Sequence, residues 1–277
     1  MGASFKGQRA IVTGAGSGIG RELALGLARE GAHVYITDIN EQRLDAVVSE
    51  LEEIGTTAGG YKVDHSSKEE SQDFANRFIE EHGAPDIMCL NAGVGHGGRV
   101  EEMCIDDWEW LLSINVYGAV YMVQFMVPAM IERKTGRILI TSSGLGLFAS
   151  PGMSPYCTSK FAMFGLAESL RMELKAHNIN VSVLCPGIIN TNIVKDAKIY
   201  LCDSETGENV KGTVDDFYER FGATPEVVAR DGIKALKKDK AVMPTPFHVW
   251  PLYFVHRLSP PLYQAIGRLV WRKGWFF

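Results

Sequence analysis

The stretch RAIVTGAGSGIGRELALGLARE, residues 9–30, decides the fold. Its first five residues, Arg9 to Thr13, form a short apolar run of the kind found in strands buried on both faces. Glycines follow at 14, 16, 18 and 20, and a helical pattern then runs from Ile19 to Glu30. Glycine permits a tight turn and close backbone approach to a pyrophosphate, while a helix N-terminus offers free N–H groups and positive potential. The spacing Gly14-x-x-x-Gly18-x-Gly20 differs from plain G-x-G-x-x-G, so the strand, loop and helix in direct succession carry the reading. Gly14, Ser17, Gly18, Ile19 and Gly20 are the candidate phosphate and ribose contacts.

The same alternation continues outward. HVYIT (33–37), DIMCL (86–90), RILIT (137–141) and NVSVL (180–184) look like further buried strands, separated by helical patterns at Glu41–Ile54, Lys68–His82, about Asp106–Arg133 and Pro155–Ala176. Alternating β and α elements predict a parallel sheet with helices on both faces, a doubly wound Rossmann-type α/β fold. Ligands in such sheets bind beyond the carboxyl ends of the strands, so residues just after each strand matter most. Asp38 ends the second strand, where an acid accepts both adenosine ribose hydroxyls and repels a 2′-phosphate, favouring NAD over NADP. Arg21, beside the glycines, is read as a solvated first-turn residue. Asp64 and His65 follow the next strand, Asp64 suited to an adenine amino group, His65 either a contact or a plain loop histidine. Asn91, Ala92 and Gly93 leave room for a cofactor and tie neighbouring strands.

Tyr156 and Lys160 sit four apart on the predicted helix from Pro155. A free phenol with pKa ~10 is too weak a base at neutral pH. A lysine at i+4 shares its face and favours the phenolate by charge attraction. Ser143, thirteen residues before the tyrosine, could hold a substrate oxygen beside it. Tyr-x-x-x-Lys alone is common on solvated helix faces; the dinucleotide motif in the same chain gives it weight.

The motifs TGAGSGIG (13–20), Asp38, Asp64, NAG (91–93), Asn115 in SINVYG, Ser143, YCTSK (156–160) and PG with Thr191 in PGIINT (186–191) fall in an order that resembles the short-chain dehydrogenase/reductase family, over roughly residues 5–245. The resemblance implies a seven-stranded parallel sheet, hydride transfer at nicotinamide C4 and no metal. It also implies a catalytic set: Tyr156 as acid/base, Lys160 lowering its pKa and holding the nicotinamide ribose, Ser143 binding substrate oxygen, and Asn115 anchoring a water relay. Pro186 and Gly187 would turn over the nicotinamide, with Ile189 and Thr191 at its carboxamide.

At 277 residues the chain is read as one domain, 1–277, with no linker or repeat. Net charge −5 gives no support for nucleic-acid binding. Five scattered cysteines suggest neither disulfides nor zinc, and a reducing cytoplasm fits them. No run of 18 apolar residues or signal peptide is read. A homodimer or homotetramer is expected.

A long substrate-lid loop is placed at about 192–222. Its apolar first part (Ile193, Ile199, Tyr200, Leu201), with Leu145, Leu147, Phe148 and Met153 before the tyrosine, suits a hydrophobic ligand. The expected substrate is a secondary alcohol or ketone on a steroid-like, lipid-like or aryl body. Lys195 and Lys198 are read as facing solvent. Beyond the family's usual ending, a basic, aromatic extension (about 246–277) follows: from Lys240 on there are five Lys or Arg and no Asp or Glu, leaving −10 on the residues before it. Helical from Leu262 to Arg272 and started by Pro260 and Pro261, it would place Leu262, Ile266, Leu269 and Val270 on one face and Gln264, Arg268 and Arg272 opposite. Packing on its own pocket or a neighbouring subunit is favoured over peripheral membrane contact. The reading is thus an NAD-dependent secondary-alcohol dehydrogenase. Its alternatives are an NADPH-dependent carbonyl reductase or a catalytically silent nucleotide-binding or membrane-surface scaffold.

Overall fold

The computed structural model describes residues 4–200 and 211–272, with side chains as far as Leu269. Its main sheet joins β1 (Arg9–Thr13), β2 (His33–Asp38), β3 (Ala58–Lys62), β4 (Ile87–Leu90), β6 (Gly136–Thr141), β7 (Ile179–Pro186) and β9 (Val242–Thr245). They lie in the order β3-β2-β1-β4-β6-β7-β9, every pairing parallel. Two-residue strands β5 (His96–Gly97) and β8 (Lys198–Ile199) pair separately.

Side chains alternate across a strand, so each strand feeds two cores. Ala10, Val12 and Leu139 pack with Leu23, Leu27, Leu44 and Val228 on one face. Ile11, Ile138 and Ile140 pack with Phe74, Phe78, Met122 and Met163 on the other. The first face is covered by α1 (Gly18–Arg29), α2 (Glu41–Glu53) and α8 (Pro225–Lys238), the second by α3 (Lys68–His82), α5 (Gly118–Arg133) and α6 (Ser154–Glu173). Helix starts follow local chemistry. Asn40 and Ser67 cap α2 and α3 by accepting from Arg43 N and Glu70 N, and Pro155 opens α6.

Two strands escaped the apolar-run reading. β3 is AGGYK, whose glycines hide the pattern: a Cβ on Gly60 would press Val48 Cγ2 at 2.8 Å and Leu44 at 3.0 Å, so glycine lets α2 lie close. β9 is VMPT, with Pro244 tolerated because β9 pairs on one side only, with β7.

The expected helix 106–133 is α4 (Ile105–Leu112) running into α5 through a turn of π-helix, Ser113–Tyr117. Length and composition would let this run cross a bilayer, yet Met122, Met126 and Met130 pack it on the sheet. The lid is not a plain loop: it holds β8 and α7 (Lys211–Phe221). Leu201 lies outside the described residues. The C-terminal extension forms α9 (Val249–Leu258) and α10 (Pro260–Arg272), the latter starting at the predicted prolines. The side chains of Val270 and Arg272 lie outside the described residues.

Candidate active site

The chain turns outward from β1 to β3 on one side and from β4 to β9 on the other, so a crevice opens at the carboxyl ends of β1 and β4. Thr13 stitches this seam: its Oγ1 accepts from Asn91 N (2.9 Å) and Ala92 N (3.0 Å). Asn91 donates Nδ2 to Gly14 O (3.2 Å) and Thr13 O (3.3 Å). Gly14 is left-handed (φ +62°), and a Cβ there would strike Ala92 Cα at 2.7 Å. Gly18 is also left-handed (φ +55°), with the Thr191 methyl 3.1 Å from where its Cβ would be. The glycine turn and the segment after β7 therefore face each other across a narrow cleft.

Asp38 closes the outer end, accepting from Gly16 N (2.8 Å) and Asn40 N (2.9 Å). A side chain at Gly16 would collide with that carboxylate at 2.8 Å. Bare backbone, a helix N-terminus and a carboxylate at the end of β2 fit an adenine dinucleotide. Gly14, Ser17, Gly18, Ile19, Gly20 and Asp38 would hold its pyrophosphate and ribose.

Other predicted contacts are placed differently. Asp64 lies at the same end, but its Oδ1 accepts from Ser66 N (2.9 Å) and Ser66 Oγ (2.7 Å). His65 is corrected: it is 5 % exposed, with Nε2 2.7 Å from Thr37 Oγ1 and Nδ1 3.4 Å from Ser71 Oγ. Burial lowers its pKa to about 4. Its side chain braces β2 on α3. Arg21 is not simply solvated; it pairs with Glu50 of α2 and with Glu22.

The catalytic candidates converge on the opposite side of the crevice. Tyr156, Ser143 and Lys160 are all buried, at 8 %, 8 % and 4 % exposure. Lys160 Nζ stands 5.5 Å from the Tyr156 ring centre and donates to Thr141 O (3.4 Å). Ser143 Oγ accepts from Leu145 N (3.1 Å) and donates to Pro186 O (3.4 Å). Ser142 instead donates to Lys160 O (2.7 Å), fixing the loop to α6.

Asn115 shows why a π turn belongs here. Its Oδ1 accepts from Val94 N (2.8 Å), and its Nδ2 donates to Val94 O (3.0 Å) and Ser159 Oγ (3.1 Å). The turn aims a 1 % exposed amide at the segment following β4. A methyl on Gly93 would lie 3.1 Å from Asn115 Oδ1 and 3.3 Å from Lys160 Nζ. Glycine thus leaves a gap between amide and ammonium.

Burial dominates the electrostatics. It pushes the Tyr156 phenol well above its usual range; nearby Tyr218 of α7 adds to this, and Ser143 works against it. Burial also lowers Lys160 to about 8. Desolvation thus sets the direction of both shifts.

Pro186 ends β7, and Gly187 N donates to Thr245 O (2.8 Å). Ile189 is 3 % exposed inside the core, so only its backbone can face the crevice. Leu145 and Met153 are half-buried in the loop between Ser143 and Tyr156, and Ile193 lies against Gly95. Phe148 differs: it is buried beneath Tyr263 of α10, ring centres 5.8 Å apart, and packs the core.

The lid is tied down by a cluster the sequence reading missed. Asp107 accepts from Lys198 Nζ (3.0 Å), Tyr200 OH (3.2 Å) and Cys104 Sγ (3.1 Å). Although burial works the other way, these bonds hold its carboxyl down at about 2. Lys198 is thus paired while its side chain stays 41% exposed, 4.4 Å above the Trp110 ring. Lys195 faces solvent as read and binds Glu219 of α7 at 3.0 Å. Polar residues dispersed between two segments leave no local pattern.

A crevice shaped for a dinucleotide thus faces a buried Ser–Tyr–Lys set on a Rossmann-type sheet. The family model described as short chain dehydrogenase matches residues 8–222, and the chain belongs to the short-chain dehydrogenase/reductase family. It is 35% identical over 261 residues to the probable oxidoreductase EphD of Mycobacterium tuberculosis, covering 93% of this chain and 44% of that protein. The chain thus spans under half the length of that relative. It is 31% identical to the 3-oxoacyl-[acyl-carrier-protein] reductase FabG of Thermotoga maritima, over 68% of this chain and 76% of the other. A short-chain dehydrogenase/reductase from Burkholderia phymatum, solved in complex with NAD, superposes with TM-score 0.84 at 27% identity, covering 94% of this chain and 96% of that one.

Proposed function

We propose that this chain is an NAD-dependent dehydrogenase interconverting a hydrophobic secondary alcohol and its ketone. The observation that carries this is the buried Ser143–Tyr156–Lys160 set opposite a glycine cradle closed by Asp38. NAD supplies the hydride acceptor. In the oxidation direction Ser143 Oγ holds the substrate oxygen, and Tyr156, as phenolate, takes the hydroxyl proton as the carbinol hydride departs. Lys160 would hold the nicotinamide ribose and, together with a positively charged nicotinamide, would offset the desolvation that raises the Tyr156 phenol. Asn115 and Lys160 flank the gap beside Gly93, the place for a proton relay. Asp64 and the backbone of Ala92, Gly93, Pro186, Gly187, Ile189 and Thr191 line the same dinucleotide path. Leu145, Met153 and Ile193 supply apolar walls for the substrate.

A panel of apolar secondary alcohols with NAD or NADP, followed at the absorbance of NADH or NADPH, tests this. NAD is expected to be preferred, because a 2′-phosphate would meet the Asp38 carboxylate. A preference for NADP(H) would establish the second reading, an NADPH-dependent carbonyl reductase, whose carbonyl-reducing direction the likeness to a 3-oxoacyl reductase favours. Tyr156→Phe should bind NADH normally and lose roughly 10²- to 10⁴-fold in turnover. Activity surviving that change would end the mechanism. A cytoplasmic homodimer or homotetramer completes the proposal, with light scattering as the check on mass.

A further inference from the structure

We propose that the ion pair between Arg43 and Asp196 is a second determinant of cofactor choice, in which Asp196, carried on the lid, withholds Arg43 from a 2′-phosphate. This takes the adenosine ribose to lie at Asp38, as in the function proposed above.

Gly16 marks where the arginine starts. A Cβ on that glycine would lie 2.8 Å from Asp38 Oδ2 and 3.0 Å from Arg43 Cβ, so the carboxylate and the root of the arginine side chain flank one backbone position. Asn40 accepts from Arg43 N at 3.0 Å, which holds the residue in the first turn of α2. A guanidinium lies several bonds beyond its Cβ, so from this root it can swing over the ribose hydroxyls that Asp38 would accept. Instead, Arg43 Nη1 donates to Asp196 Oδ2 at 3.1 Å. Asp196 is within reach because the lid passes along the glycine turn, beginning at Thr191 opposite Gly18. The lid is fixed there on either side of the aspartate: Asp196 N donates to Asn192 O (2.8 Å), and Lys211 Nζ of α7 to Ala197 O (2.7 Å).

The chemistry gives this pair its meaning. A guanidinium matches a phosphate with paired donors in one plane, and an arginine near the ribose is how Rossmann-type sites accept a 2′-phosphate. A cation beside Asp38 therefore works against the selection for NAD, unless an acid occupies it. Lys62, in register with Asp38, is occupied by Glu41 at 3.7 Å. Glu41 belongs to α2 itself, whereas Asp196 belongs to the lid. Discrimination against the 2′-phosphate is thus strongest when the lid is shut. The two side chains are 40% and 49% exposed, so water screens the pair and the shift it causes is a few-fold.

The test is fluorescence titration of the full chain with NADH and with NADPH, which needs no substrate. Asp196→Asn should lower the ratio of the NADPH to the NADH dissociation constant roughly two- to fivefold, the worth of an exposed ion pair. In an Arg43→Gln background the same change should leave the ratio where it was. A ratio that falls equally in that background overturns the proposal, assigning the effect to repulsion between Asp196 and the phosphate. So does an unmoved ratio in the single variant, or an equal gain for both cofactors, which would put Arg43 on the shared pyrophosphate. NADH binding by each variant reports a folded site. The wild-type ratio separately tests the choice of NAD: tighter binding of NADPH would sink that reading, while the cycle of variants still decides the role of the pair. Wild-type binding of neither cofactor overturns both.

Discussion

Lys160 is held where an ammonium is poorly solvated, with Thr141 O at 3.4 Å as its hydrogen-bond partner. Its pKa is lowered to about 8 in the folded chain against 10.5 ordinarily. Between those values the unfolded chain carries a proton that the folded one lacks, so this group adds stability as pH rises and withdraws it as pH falls towards 8. Without cofactor, the stability of the native protein minus that of Lys160→Met should rise by about 1.4 kcal/mol per pH unit between pH 8 and 10, measured by urea unfolding. A flat difference would show that Lys160 is solvated. NAD binding should narrow the window, since a ribose hydroxyl gives the ammonium a partner. Single residues were legible only where chemistry demanded their type. Tyr156, Ser143 and Lys160 could be placed by spacing, whereas His65 owes its internal role to Thr37 and Ser71, which neighbour it only in space.

Elements position these residues through their irregularities. The π turn at Ser113–Tyr117 points Asn115 at the backbone of Val94, and the glycines press the first turn against β4. Gly14→Ala should lower unfolding free energy by roughly 2 kcal/mol and weaken NADH binding, because it combines a left-handed backbone with a clash against Ala92. Denaturant titration and cofactor fluorescence would measure the two effects. At the lid, Asp107→Asn removes the charge that holds Lys198. Proteolysis within 192–222 should then quicken roughly tenfold, since opening of a loop governs its cleavage. Helices were readable from periodicity to within a few residues, as α2 and α3 show. β3 and β9 were not, because packing against α2 and an edge position selected glycine and proline over the apolar runs that mark a strand.

For the whole molecule, the cleft is built from segments far apart in sequence: Gly18 meets Thr191, and Arg43 pairs with Asp196 at 3.1 Å. A ligand filling the cleft therefore braces both halves of the sheet. NADH at a hundred times its dissociation constant should stabilise the fold by about 2.7 kcal/mol, a rise in melting temperature of roughly 5–10 °C. NADPH at the same concentration should give a smaller rise if Asp38 discriminates as proposed. The alternation of β and α elements disclosed the architecture, but not the order of the strands, which depends on pairings between residues far apart in sequence.

That order has a consequence for synthesis. β1 lies between β2, its sequence neighbour, and β4, with Ala10 paired to Ile87. A growing chain can pair β1 with β2 early, but the other edge of β1 stays open until β4 has left the ribosome. The glycine cradle leans on Ala92 and Asn91 across that same edge. The nascent chain thus carries an unpaired, apolar strand edge for as long as synthesis takes from Thr13 to Ile87, the interval in which chaperone capture or misassociation competes with closure.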